Sequence, residues 1–575
     1  MWLSDHDLKQ IDEDYVGRLE ADKLRGLLLK VLADLKEARD RLNQNPGNSS
    51  RPPSTRAPWE RTAQDEEDDG EEEPLAEEEP AEDHEETKHK ELNTEEQSQK
   101  SEGTEETGNG KPGKPGKRKG APGYGRRLEL EVTEERIHRA GACAACGCSL
   151  PQDAPFRAST GRYELELKDP SSGAPGIEVT NIKHLYGECL CACGHWTRTE
   201  PSRCPAEEGW AVELTEWHLA GPMRVAFIAS LGMRQRLSRK RIQEFLHDWL
   251  HLSLGTATIN QCIHEAARAV EPVVEEEILA AVRQAELLYA DETSWKEQRN
   301  ALWLWVFTCA TATLFIVGRR NREMLQRVLS DAFNGSLMSD GYRVYRQYER
   351  RLRCLPHLVR KARGLEQSCD QQAHVFGQRA LQELETLMEA VYQAREGPPA
   401  VPLSQQHAIR LGKFRAFCQR HWDAEHKKTR ELAREFLYDW AAIWAVLDDP
   451  SLPLTNNEAE RALRHWVISR RISFGTRTPQ GTRAFALLAS VIETCRKRQA
   501  SPWLYIAEVV AKRRKGNPAP PLPDCVAIFC ETCWDIQVAN RSKKLATRCC
   551  LRRPAFVLRP PRRSTARCTM APTMT

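Results

Sequence analysis

Leu287-Leu288-Tyr289-Ala290-Asp291-Glu292-Thr293-Ser294-Trp295 starts as an apolar run and turns polar at Asp291. A short apolar run closed by polar residues reads as a buried strand, which puts the Asp291 carboxylate at the strand's exit edge. Ser336-Leu337-Met338-Ser339-Asp340-Gly341-Tyr342 repeats the pattern: an apolar run ends at Asp340, and Gly341 permits a tight departure. Two strand-end aspartates can meet across neighbouring strands, although an aspartate closing one strand is ordinary turn chemistry.

Between these blocks, residues 301–318 are apolar enough to suggest a membrane helix. Thr308-Cys309-Ala310-Thr311-Ala312-Thr313 splits them into two runs rich in Trp, Val, Phe and Ile, which predicts a hairpin of buried strands instead. Strands are expected over 287–290, 302–307, 314–317 and 336–338, with a helix over 322–332. Helical patterning returns over 365–447 and over 456–465. This order predicts an α/β core, a mixed sheet carrying a helical insertion.

Thr455-Asn456-Asn457-Glu458-Ala459-Glu460-Arg461 opens the last of these helices, with Asn456 or Asn457 as cap. Glu458 and Glu460 both fall in its first turn and point in different directions, so only one can readily join a site. The residues alone leave that choice open. The ordinary reading of both is a solvated turn that complements the helix dipole.

The chain has 575 residues and a net charge of only +2, but its charges are segregated. Leu24, Val31 and Ala38, with Leu28, Leu35 and Leu42, keep heptad spacing, which predicts a short coiled coil or a docked amphipathic helix. Residues 65–106 are dominated by Glu and Asp, whereas KPGKPGKRKGAPGYGRR over 111–127 reverses the sign and can track phosphates. The expected organisation is a helical segment over 1–45, an acidic then basic linker over 46–127 and a cysteine module over 128–205. A helical region over 206–280, a catalytic domain over 281–500 with its insertion at about 365–447, a segment over 501–523 and a disordered or aberrant tail over 524–575 complete it. Within 237–266, two helices joined by a turn at Gly255 suit either a helix-turn-helix or a support for the core.

The nineteen cysteines, several in CxxC and CxC spacing, and the mixed, charged N-terminus favour reduced thiols and metal ligation in a cytoplasmic protein without a membrane anchor. Cys143 and Cys146 form one CxxC; Cys189, Cys191 and Cys193, followed by His195, answer it across a strand-rich stretch. Zinc needs four such ligands, and Cys148, Cys189 and His195 compete for places. Neither a GxxxxGK[ST] nor a GxGxxG pattern occurs, so nothing suggests ATP or dinucleotide use.

Taken together, these blocks resemble the transposases of the insertion sequence 66 family. The likeness runs from NSSRPPS at Asn48 through the cysteine module to DET at Asp291, SDGYRVY at Ser339, CLPHLVRKA at Cys354 and NNEAERALR at Asn456. It continues through SFGTRTPQGTRA at Ser473 and ends near Pro523. The resemblance implies a ribonuclease H-like fold. It also implies a catalytic glutamate directly before an arginine, hence a triad of Asp291, Asp340 and Glu460. Such carboxylates hold hard dications, magnesium or manganese, for in-line displacement at phosphorus, so DNA strand cleavage and strand transfer share one site.

Arg461, Arg464, Arg470, Arg471, Arg477 and Arg483 fit this picture as phosphate contacts. The resemblance favours Cys143, Cys146, Cys191 and Cys193 as a structural zinc set, and it makes Cys354 and His357 a recurring CxxH element. Implied partners are transposon-end and target DNA at the nucleoid, a second copy of the chain, and accessory proteins encoded by the same element. The alternatives are a catalytically silent DNA-binding relative and a ribonuclease H-like nuclease without strand transfer.

Overall fold

In the computed structural model, residues 11, 13–44, 48, 130–168, 177–205, 209–330, 333–397 and 399–524 are described. The linker expected over 46–127, apart from Asn48, and the tail from 525 onward lie outside them. Helix α1 (Ala21–Leu42) carries the heptad residues on an open surface: Leu24, Leu28, Val31, Leu35 and Leu42 are all exposed. Its Asp40 accepts a hydrogen bond from the Cys369 amide at 2.8 Å, tying the helix to the rest of the chain.

The cysteine-rich stretch forms a four-stranded sheet from β1 (Glu134–His138), β2 (Phe156–Leu167), β3 (Val179–Leu190) and β4 (Trp196–Arg198). The long central strand β3 pairs parallel with β1 and antiparallel with β2 and β4. Gly187 allows β3 to pass the Arg157 carbonyl where the register with β2 shifts; a Cβ there would overlap it. Helices α2 (Pro222–Met233), α3 (Arg239–Leu250) and α4 (Thr256–Val273) follow. Ser238 caps α3, and α4 buries Ile259, Cys262, Ile263 and nearly every residue after them. The helix pair at Gly255 is therefore present, and its second member is largely a core element.

A five-stranded sheet comes next: β5 (Leu287–Glu297), β6 (Asn300–Thr308), β7 (Thr313–Gly318), β8 (Ser336–Ser339) and β9 (Arg351–Arg353), in the order β7-β6-β5-β8-β9. β5, β6 and β7 pair antiparallel, which realises the expected hairpin, while β5, β8 and β9 pair parallel. No helix among the described residues is long and apolar enough to cross a membrane. Helix α5 (Arg322–Leu329) makes the crossover to β8. One expectation needs correction. β5 does not end at Asp291 but runs to Glu297, because β6 continues its ladder and Trp295 turns back into the core.

After β9 come α6 (Leu355–Glu366), α7 (Gln371–Glu396), α8 (Ala408–Arg420) and α9 (Lys427–Tyr438), with a core of their own around Phe376, Leu384, Phe414 and Phe436. The chain then returns to the sheet with α10 (Asn457–Ser473), α11 (Pro479–Lys497) and α12 (Pro502–Arg514). Trp295, Trp466 and Phe485 lock α10 and α11 onto β5, with Trp295 and Phe485 stacked at 4.4 Å between centroids. Each such buried aromatic side chain contributes roughly 1.5–3 kcal/mol.

Candidate active site and metal-ligand clusters

The parallel register between β5 and β8 pairs Leu287 with Ser336, Leu288 with Leu337 and Tyr289 with Met338. Asp291, within β5, and Asp340, just past the end of β8, each lie two residues beyond the last pair and so at matching positions. Burial alternates along β5, so Asp291 shares the half-buried face of Leu287 and Tyr289, while Leu288, Ala290 and Glu292 face the core. Each aspartate is held by a backbone amide: Glu292 N donates to Asp291 at 2.9 Å and Tyr342 N to Asp340 at 2.8 Å.

Helix α10 is clamped to β5 on both sides of Asp291. At its start, Asn456, wholly buried, donates its side-chain amide to the Ala290 carbonyl at 3.0 Å. Towards its end, Arg470 donates to Thr293 Oγ1 at 2.8 Å and to Ser294 Oγ at 2.9 Å. The two glutamates of the first turn diverge. Glu458 pairs with Arg461 at 3.0 Å and, at 3.9 Å, with Lys497. Glu460 instead meets Cys354 and His357, their ligand atoms all within 4.8 Å of one another. Among the described residues, Asp291, Asp340 and Glu460 do not form one group within that distance.

Cys354 and His357 come together because Cys354 caps α6 and His357 lies three residues on, on the same side of the first turn. Asn456 N donates to Cys354 Sγ at 3.4 Å and Leu355 N to the Leu454 carbonyl at 2.9 Å, which brings the start of α10 against this turn. Burial, reinforced by the Glu460 charge, pushes the Cys354 thiol up to about 12. Burial, with Arg360 and Lys361 nearby, brings the His357 imidazole down to about 3. Both groups are neutral near pH 7.

The core face of β5 holds a second network that sequence reasoning left without a role. Glu292 is buried, accepts from Arg320 Nη2 at 2.8 Å and from the Tyr345 hydroxyl, and so joins the DET block to the SDGYRVY block. Arg320 is sandwiched at 4.2 Å and 4.0 Å from the Trp303 and Tyr342 ring centroids. Burial, with Asp340 close by, raises Glu292 to about 7 against the pull of Arg320. Its signal was the acid beside Asp291 on the opposite strand face.

In the four-stranded sheet, Cys143, Cys146, Cys191 and Cys193 converge, their sulfurs within 4.8 Å of one another. Cys143 and Cys193 stand 3.7 Å apart, Cys146 and Cys191 3.6 Å. Cys148, Cys189 and His195 are not in the group, and the described cysteines are all free of disulfides. The amides of Cys146 and Ala145 draw the Cys143 thiol down to about 6. Cys193 rises to about 12; the His195 amide opposes that shift, and the thiols of Cys191, Cys146 and Cys143 outweigh it. Four thiols so crowded cannot all ionise without a cation, which is what a metal site requires.

Residues 218–484 match the family model described as "Transposase IS66 family". The chain carries an IS66-family transposase domain. That match runs from α2 into the first turns of α11, hence over the five-stranded sheet, the insertion and all three carboxylates. The chain is also 25% identical over 276 residues to the uncharacterized protein y4qI of Sinorhizobium fredii (strain NBRC 101917 / NGR234), covering 42% of this chain and 50% of that protein. It is 25% identical over 228 residues to y4jD of the same organism, 36% of this chain and 43% of that one. Over 63 residues it is 36% identical to y4jO, 11% of this chain and 20% of that one. The matches thus span half or less of these relatives.

The arginines of the matched domain differ in their surroundings. Arg461 and Arg477 are exposed, and Arg464 and Arg471 are half-buried. Arg470 is buried in its bonds to β5. Arg483 is ion-paired with Glu271 and Glu275 and lies over the Trp210 ring.

Proposed function

We propose that the chain cleaves and joins DNA strands at a site built from Asp291, Asp340 and Glu460. The observation that carries this reading is the matched position of the two aspartates on adjacent parallel strands, beside a helix hydrogen-bonded to the peptide next to Asp291. The strand order, with three antiparallel strands continued by two parallel ones, supports a ribonuclease H-like core. The donor set is oxygen-only and suits hard dications. Asp291 and Asp340 would hold magnesium or manganese, with Glu460 turning from Cys354 and His357 to complete the set. The metal would supply charge neutralisation at the phosphoryl group and a more acidic attacking hydroxyl. The protein's own part is positioning: the Glu292 and Tyr342 amides orient the aspartates, and the two ties of α10 set the glutamate's reach.

The remaining parts follow from the same reading. Zinc held by Cys143, Cys146, Cys191 and Cys193 would brace the four-stranded sheet. The open leucine face of α1 suits a second copy of the chain, and Arg461, Arg464, Arg471 and Arg477 suit phosphate. At the start of α4, Thr256, Ala257, Asn260 and Gln261 remain open enough to meet base edges at the transposon ends.

The test is purified full-length chain with magnesium and DNA bearing the cognate terminal repeats. Nicked and joined products, lost in Asp291→Asn, are expected. A folded protein that shows no metal-dependent cleavage of such DNA contradicts the proposal, and nicking without joining points to a nuclease.

A further inference from the structure

We infer that Cys354, His357 and Glu460 form a second transition-metal site, distinct from the four-cysteine cluster and selective for a borderline-soft dication of the zinc class. One sulfur, one imidazole nitrogen and one carboxylate oxygen within 4.8 Å of one another make a three-ligand set that leaves a fourth tetrahedral position open. Ligand atoms around one zinc stand roughly 3.5–4 Å apart, so only a small inward movement closes the shell. A hard ion such as magnesium avoids sulfur, whereas zinc accepts all three donors.

Two independent features of the surroundings point to a ligand here. His357 is half-buried, and its Nδ1, itself shielded from solvent, makes no hydrogen bond, a costly vacancy for an imidazole that packing alone does not explain. Cys354, 1% exposed, receives the Asn456 amide at 3.4 Å, the kind of outer bond that steadies a metal-bound thiolate. On binding a dication the Cys354 thiol would give up its proton, and thiolate and carboxylate together would then offset the ion's charge beside Arg353, Arg360 and Lys361. The consequence for catalysis, that zinc and magnesium compete for Glu460, rests on the triad proposed above; the binding site does not.

The test is the zinc content of full-length protein, measured by elemental analysis after equilibration with zinc and removal of the excess. His357→Ala, Cys354→Ser and Glu460→Gln are compared with the unaltered chain, with thermal unfolding of each to identify the folded variants. The expected result is one zinc per chain fewer in every folded variant, the four-cysteine cluster being intact throughout. Equal zinc content in the unaltered chain and in any folded variant overturns the inference. Because the readout needs neither DNA nor cleavage, failure here and failure of the triad are told apart.

Discussion

The two clusters of metal-ligating side chains are built in opposite ways. The four cysteines come from two tight turns at one end of a single small sheet, where their sulfurs converge. The three acids come from β5, the end of β8 and α10, and the insertion of α6 to α9 separates the second from the third. The cysteine cluster is assembled by local geometry and suits a structural ion. The acidic site has two members in register and a third turned towards Cys354 and His357, so its completion requires a change of partner for Glu460. On the proposed reading, a permanent brace and a conditional site sit in one chain.

Removing an aspartate should break the acidic side of that contrast with the largest effect. Asp291→Asn or Asp340→Asn should lower magnesium-dependent DNA cleavage by on the order of a thousandfold or more while leaving the melting temperature nearly unchanged. On the other side, Cys143→Ser with Cys146→Ser, or a strong chelator, should open the sheet of β1 to β4 to limited proteolysis. Structural zinc contributes roughly 10–16 kcal/mol in small zinc modules, enough to decide whether such a module folds. If proteolysis of that sheet does not change, the brace is not metallic.

Glu292→Gln sharpens the picture through pH. The folded-state value of about 7 lies above the ordinary glutamate value of about 4.3, so the fold favours the protonated acid. Its contribution is fully present below about pH 4.3 and is lost as pH rises through 7, a swing on the order of 4 kcal/mol. Urea midpoints measured from pH 5 to 8 should fall with pH in the unaltered chain and flatten in Glu292→Gln. The smallest expected effect comes from Asn456→Ala, which leaves the Ala290 carbonyl short of a donor. It should cost about 1–3 kcal/mol of stability in denaturant titrations and loosen the helix that carries Glu460.

Apolar runs made the strands around Asp291 and Asp340 legible, and the threonine-rich turn at 308–313 made the hairpin so. β9 escaped because it is Arg-Leu-Arg: Arg351 and Arg353 are buried against Asp439, and that ion-pair network is invisible to hydrophobic patterning. Arg470 read as a phosphate ligand, although its spacing after Leu463, Trp466 and Val467 already put it on the buried face of α10. Physics explained why a third acid is needed but could not choose between Glu458 and Glu460; family likeness did. The meeting of Cys354, His357 and Glu460 depends on contacts across about a hundred residues, which no local pattern encodes.

The most direct measurement compares Glu458→Gln with Glu460→Gln in magnesium-dependent cleavage of terminal-repeat DNA. The triad predicts near-complete loss in Glu460→Gln and a few-fold change at most in Glu458→Gln, whose carboxylate is occupied by Arg461. Retained cleavage in Glu460→Gln, or an equal loss in both, would contradict it.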